Sequence, residues 1–309
     1  MAYDSVLLIA FGGPTRPEEI RPFLQNVSRG RRIPPERLEV VATHYEQMPG
    51  GRSPLNELTH AQATALTEGL AKSALALPVF VGMRNWQPFL HETLADMAAR
   101  GHRRTIGIIL SALRSEASWD RYRDDVAAAR ARTPGAPDID FAEPWFAHAG
   151  YLEAVTARAR DAFENVPPAR RSWTPLVFTA HSIPVAMADA APYVAELNAI
   201  AHGVVARLAH TRFSIAYQSR SGAPGDRWLE PDINDVLRSL GQDREREVVV
   251  VPAGFVCDHV EVLYDLDVEA RATAAASGLA LHRASAVNDH PAFIGALVDV
   301  VCRTMKAAA

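Results

Sequence analysis

Two short runs of apolar residues, Val6-Leu7-Leu8-Ile9-Ala10 and Val248-Val249-Val250-Val251, contain no alternating polar positions. A strand with one wet face alternates with a period of two. An unbroken run therefore belongs to a strand covered on both faces, as in a parallel sheet. Similar short runs place strands at 5–11, 78–82, 105–110, 138–141, 176–180, 213–218, 247–253 and 279–283. Longer helical patterns lie between them, among others at 54–71, 88–100, 119–132, 151–165, 193–209 and 260–276. Repeated strand–helix alternation predicts an α/β fold, here two similar doubly wound domains with parallel sheets flanked by helices. Each half opens with a buried strand running into a loop, VLLIAFGGP in the first and PLVFTAHSIP in the second. The expected division is 1–148, 149–290 and a C-terminal helical segment, 291–309, that packs back on the first half.

At 309 residues the chain is long enough for two cores. Apolar residues at 48% and charged residues at 22% suit a soluble globular protein. The formal net charge of −4 invites no nucleic acid. Only Lys72 and Lys306 among the 32 basic residues are lysines, which fits a coding bias that also supplies the many alanines. With two cysteines, Cys257 and Cys302, there is no disulfide framework and no four-thiolate iron–sulfur cluster. The first residues lack a secretory pattern and no apolar run is long enough to span a bilayer. The expected location is cytoplasmic, with contact at a membrane surface left open.

In open parallel sheets ligands sit beyond the carboxyl ends of the strands, so chemistry is sought in the loops that follow them. His181 directly follows the run Leu176–Ala180, and Pro184 delays the next helix, so the imidazole is placed to face a cleft or to bond local backbone. Glu261, Asp265 and Glu269 follow the strand at 247–253 and stand four residues apart. Four residues advance about 400° on an α-helix, a drift of about 40° per step, so three carboxylates share one face. Such a row is either a solvated acidic face or a path for cations; its start at a strand end and flanking Val262, Leu263 and Leu266 weaken the first reading. One histidine and one carboxylate make a poor permanent metal centre, which takes three or four protein ligands. They suit a metal that must leave, and imidazole also accepts protons near neutrality. Gly12-Gly13-Pro14 permits close backbone approach without forming a dinucleotide motif. Ser28-Arg29-Gly30-Arg31-Arg32 is a basic loop able to meet carboxylates, or a solvated turn.

In order along the chain, LLIAFGGP, FLQNVSRGRRIP, GGRSPLN, GMRNWQPF, AHSIP, YQSRSG, WLEPDINDVL and PAGFVCDHVEVLYDLDVEA make the sequence resemble the ferrochelatases over nearly its whole length. The resemblance implies a class II chelatase-like pair of domains around a porphyrin cleft and iron(II) insertion in haem biosynthesis. It assigns His181 and Glu261 to the face of the macrocycle centre, and Asp265 and Glu269 to metal passage. The length resembles short bacterial members that act on coproporphyrin III. In these the positions of Arg29, Tyr45, Ser53 and Tyr122 contact substrate, and the position of Phe11 commonly carries a tyrosine that approaches the metal axially. Phenylalanine cannot ligate, His44 replaces a frequent arginine, and Asn85 replaces a histidine found in some members. Coproporphyrin III and protoporphyrin IX both stay open as substrate. No cofactor is expected beyond iron(II) as substrate, no iron–sulfur cluster is expected, and a haem-pathway enzyme is the expected kind of protein partner. A chelatase for another tetrapyrrole, such as sirohydrochlorin, and a non-catalytic porphyrin carrier are the rival readings.

Overall fold

A computed structural model describes residues 2–30, 34–221 and 225–308; Arg31 and Arg32 of the basic loop and Gly222 of YQSRSG lie outside the described residues. Among the described residues eight strands form, β1 Ser5–Ala10, β2 Val79–Met83, β3 Arg104–Ile109, β4 Asp138–Phe141, β5 Leu176–His181, β6 Phe213–Gln218, β7 Glu247–Val251 and β8 Ala280–Arg283. They make two all-parallel four-stranded sheets of orders β2-β1-β3-β4 and β6-β5-β7-β8. The chain order within the two sheets is the same. The unbroken apolar runs are the reason: β1 and β7 are buried at every residue and sit inside their sheets, while the edge strands β4 and β8 carry exposed positions.

The chain divides into two compact units. The first comprises Met1–Ser111, Ala117–Pro144 and Ile294–Ala309, and the second Ala112–Glu116 and Trp145–Phe293. Helices of the first unit are α1 Ile20–Ser28, α2 Pro35–Glu46, α3 Leu55–Lys72, α4 Leu90–Ala99 and α5 Arg121–Ala131. One face of its sheet packs Leu7, Ile9 and Ile109 on Leu90, Leu94 and Met97 of α4 and on Tyr122, Val126 and Ala129 of α5. In the second unit α6 Ala149–Glu164, α7 Val185–Asp189, α8 Tyr193–Leu208, α9 Ile233–Gln242, α10 Val260–Tyr264 and α11 Arg271–Ala276 follow, and α12 Pro291–Ala307 ends the chain.

The acidic stretch differs from the single regular helix expected over 260–276. A π-helical turn, Asp265–Ala270, separates α10 from α11. The apolar residues give a physical reason. Val262, Leu266, Ala270 and Ala274 recur every four residues and all join the core formed with Val177, Val248 and Val250. A four-residue repeat outruns the 3.6-residue turn of an α-helix. A π turn closes hydrogen bonds one residue further on and fits more residues per turn, which keeps the apolar row on the sheet.

Both sheets reverse winding direction beside their first strand, so each has a topological switch point, between β1 and β3 and between β5 and β7. The crevice beyond the strand ends at such a point is where open α/β sheets take ligands. In the second unit Gly254 lets the loop after β7 close on β5. A Cβ there would lie 2.5 Å from Ala180 Cβ and 2.9 Å from its Cα, and Gly254 N donates to Thr179 O at 3.0 Å. Gly254→Ala forces that loop off the strand that ends in His181. The expected loss is about 1–3 kcal/mol of unfolding free energy, the usual range for overpacking, read by urea denaturation. A variant as stable as the parent removes this account.

Candidate functional site

His181 is the last residue of β5 and pairs in register with Gln218, the last residue of β6. Its Nδ1 bonds the main-chain carbonyl of Ser182. A carbonyl can only accept, so Nδ1 is the donor and Nε2 is the ring nitrogen left to face outward. That nitrogen stands 3.7 Å from Glu261 Oε1, with 27% and 37% of the two side chains exposed. The gap is too long for a hydrogen bond. A first-row divalent ion at about 2.0–2.2 Å from each donor spans a gap of this width. Tyr193, a fully enclosed phenol pushed well above its usual range by burial, donates its hydroxyl to His181 O at 2.9 Å. Ser182 N donates to Gln218 O at 2.7 Å and Ser182 Oγ to Leu229 O at 2.9 Å.

Glu261 lies in the first turn of α10, capped by His259, whose Nδ1 accepts from Glu261 N at 3.3 Å. Burial holds the His259 imidazolium form below its ordinary range, with His181 adding to this and Glu261 and Asp258 opposing it. A neutral His259 keeps the lone pair that the cap needs. Neighbouring carboxylates are already engaged. Arg283 bonds Asp258 Oδ1 and Asp267 at 2.8 Å each. Asp258 also accepts from Ala286 N and from Asn288 Nδ2. Asp258 and Asp267 therefore hold the loop and helix together, whereas Glu261 faces His181.

Asp265 comes next in the acidic row. Ser219, which follows β6 with a left-handed φ of 63°, donates its hydroxyl to Asp265 Oδ2. Burial raises the Asp265 carboxyl to about 8; Ser219 opposes the rise, and Glu261, Glu269 and Asp232 add to it. Glu269, one step further, is exposed. The row thus runs from the imidazole through a half-buried acid to solvent. Among the described residues no group of three or more His, Cys, Asp or Glu side chains has metal-site geometry. Gln218 and Ser219 are the residues that sequence reasoning passed over here: YQSRSG was noted as a motif, but no pattern in it announces contacts with a helix more than forty positions later.

The first unit carries the other candidate residues. Phe11 follows β1 and is 37% exposed, with its edge on Phe23 at 6.3 Å; Phe23 in turn meets Tyr45 at 5.8 Å and Trp86 at 6.2 Å. Asn85 donates to Phe11 O through both N and Nδ2, at 3.0 and 3.1 Å. Arg29, exposed after α1, donates Nη2 to Asn26 Oδ1 at 2.7 Å, and Asn26 Nδ2 reaches Asn85 O at 3.3 Å. Phe11 and Arg29 are therefore linked through two asparagines. Tyr45, Ser53 and Tyr122 are nearly enclosed at 6%, 4% and 6% exposure. Arg84 lies 4.3 Å above the Tyr122 ring and bonds Asp125 at 2.5 Å, and Ser53 Oγ accepts from Leu55 N at 3.3 Å. No helix among the described residues is long and apolar enough to cross a membrane.

Among known proteins, the ferrochelatase family profile matches residues 3–305. The chain is 43% identical over 305 residues to a coproporphyrin III ferrochelatase of Mycobacterium avium (strain 104), covering 97% of this chain and 88% of that one. It is 42% identical over 318 residues to a coproporphyrin III ferrochelatase of Streptomyces griseus, covering 97% and 84%. The sirohydrochlorin chelatase SirB of Bacillus subtilis subspecies spizizenii in complex with cobalt superposes with a TM-score of 0.58 at 14% identity, covering 98% and 96%; this shows a shared fold alone.

A raised carboxyl has a consequence for stability. With its pKa lifted from 3.8 to about 8, Asp265 binds a proton in the folded state that the unfolded chain has released. This group's contribution is therefore full below about pH 4 and is lost as pH rises through about 8. Asp265→Asn stays neutral and escapes that loss. Relative to the parent, it should gain on the order of 2 kcal/mol between pH 4 and pH 8.5 in urea denaturation, each tenfold change in proton affinity being worth at most about 1.36 kcal/mol. Parallel pH curves for the two proteins would remove the assignment.

Proposed function

From the premise that this chain belongs to the ferrochelatase family, we propose that it inserts iron(II) into coproporphyrin III to give coprohaem. The relatives that support this substrate bear that name, at 43% and 42% identity across 97% of the chain. The observation that carries the chemistry is the 3.7 Å gap between His181 Nε2 and Glu261 Oε1. In the crevice at the second sheet's switch point, two donors of different kind face each other.

Iron(II) sheds water to this pair. Two donors are fewer than a resident metal needs, so the ion passes onward to the four pyrrole nitrogens. Metallation releases two pyrrole protons. Nε2 of His181 accepts the first, because Nδ1 is committed to Ser182 O, and Glu261 takes part in relaying them. Glu269, and Asp265 once it gives up its proton to solvent, supply iron from the solvent side. We assign Arg29 to the substrate propionates and Tyr45, Ser53, Tyr122 and Phe11 to further substrate contact, Phe11 with an apolar ring that cannot ligate. The reaction changes no oxidation state, and it uses no redox cofactor or iron–sulfur cluster. The setting is the cytoplasm, and the product passes to a haem-pathway enzyme.

His181→Ala tests this directly. Removal of a proton acceptor of this type lowers rate by about 10²–10⁴-fold. Iron insertion, followed anaerobically by loss of free-base porphyrin fluorescence, should fall by that order while porphyrin binding persists. Normal insertion by the variant would overturn the reading. In the parent, coproporphyrin III should be metallated faster than protoporphyrin IX in side-by-side assays. The reverse order moves the substrate to protoporphyrin, and binding without metallation by the parent leaves only a carrier.

A further inference from the structure

Gln218 is joined to the strand end of one member of the pair and to the backbone of the other. Its main-chain carbonyl accepts from Ser182 N at 2.7 Å, and it stands opposite His181 in the β5–β6 register. Its side-chain Nε2 donates to the main-chain carbonyl of Glu261. The next residue, Ser219, holds Asp265. One strand end thus grips the histidine's loop and two successive members of the acidic row. The grip falls where the helix changes from α10 to the π turn, a place where Asp265 N donates to Val262 O.

Packing alone does not explain a glutamine here. Gln218 is 1% exposed, yet its Oε1 has no hydrogen-bonding partner. A buried amide with one half unpaired is less favourable than an apolar side chain of the same length. What the amide does make is one bond, to the main-chain carbonyl of Glu261.

We propose that Gln218 is a positioning residue that sets the separation of His181 and Glu261, and with it the affinity for the incoming iron(II). The proposal rests on the reading of those two residues as the metal-handling pair. Gln218 touches neither metal nor porphyrin; it acts through the backbone of Glu261. Partners at this remove from a metal commonly change its affinity 10- to 100-fold when lost.

The test is Gln218→Met, which keeps length and removes the donor. The unfolding midpoint should stay the same or rise, because an unpaired buried oxygen disappears. The KM for iron(II) should rise about tenfold or more, with porphyrin binding unchanged by fluorescence quenching. Cobalt(II) titration of the porphyrin-free protein, read by its absorption bands, should show the same weakening. In a Glu261→Ala background, Gln218→Met should change neither iron nor cobalt dependence further. If Gln218→Met does not yield folded protein, Gln218→Asn, which keeps the amide but shortens its reach, carries the same expectations. Unchanged iron KM and cobalt affinity would overturn the proposal, as would an equal loss in the Glu261→Ala background. Normal iron insertion by His181→Ala would instead overturn the metal-pair reading on which it rests. An inactive His181→Ala beside a kinetically normal Gln218→Met would sink the role of Gln218 alone.

Discussion

Burial of Val262, Leu266, Ala270 and Ala274 against Val177 of β5 and Val248 and Val250 of β7 fixes where the acidic row stands. Each carboxylate of that row precedes one of these apolar residues by a single position. The apolar row cannot leave the sheet without exposing a core, so Glu261, Asp265 and Glu269 are held along the adjacent stripe of the helix. Their mutual repulsion is small beside the burial that places them: like charges four apart cost a few tenths of a kcal/mol, whereas burying one Val or Leu side chain contributes about 1.5–3 kcal/mol. Packing therefore decides the geometry, and electrostatics decides what that geometry can do.

The carboxylates around the site divide by their partners. Asp258 and Asp267 both pair with Arg283, tying the loop after β7 and the π turn to β8. Glu261 faces an imidazole whose other nitrogen is occupied by Ser182. Asp265 is half-buried and keeps its proton through neutrality. Residues of one chemical type within ten positions thus take three environments: ion-paired anchor, carboxylate facing an imidazole, and buried acid. In the first unit a similar division separates exposed Phe11 and Arg29 from the enclosed Tyr45, Ser53 and Tyr122. The asparagines 26 and 85 connect the two exposed residues through hydrogen bonds no longer than 3.3 Å.

A chelatase fold shared at 14% identity with a sirohydrochlorin chelatase shows how little of the function resides in the sheet order. The order provides two switch points. Which metal and which tetrapyrrole are taken depends on side chains carried by the loops. On this reading the identity to named coproporphyrin III ferrochelatases says more about substrate than the superposition does.

The eight strands and the α/β class were legible in the sequence, because strands covered on both faces must be apolar throughout and their loops must follow at one end. The row at 261, 265 and 269 was legible for a related reason: a four-residue spacing survives any helical winding close to four residues per turn. The π turn at Asp265–Ala270 was not, since only the sheet beneath demands that the apolar residues stay in line. Nor were the ion pairs that tie up Asp258 and Asp267, which depend on Arg283, a residue brought in by a different strand. The sequence alone determined that a histidine and an acidic helix would each follow a buried strand. Tertiary structure alone set their separation at 3.7 Å and bonded Gln218 to Ser182 and to the backbone of Glu261, because hydrogen bonds across strands and helices join residues that no local pattern relates.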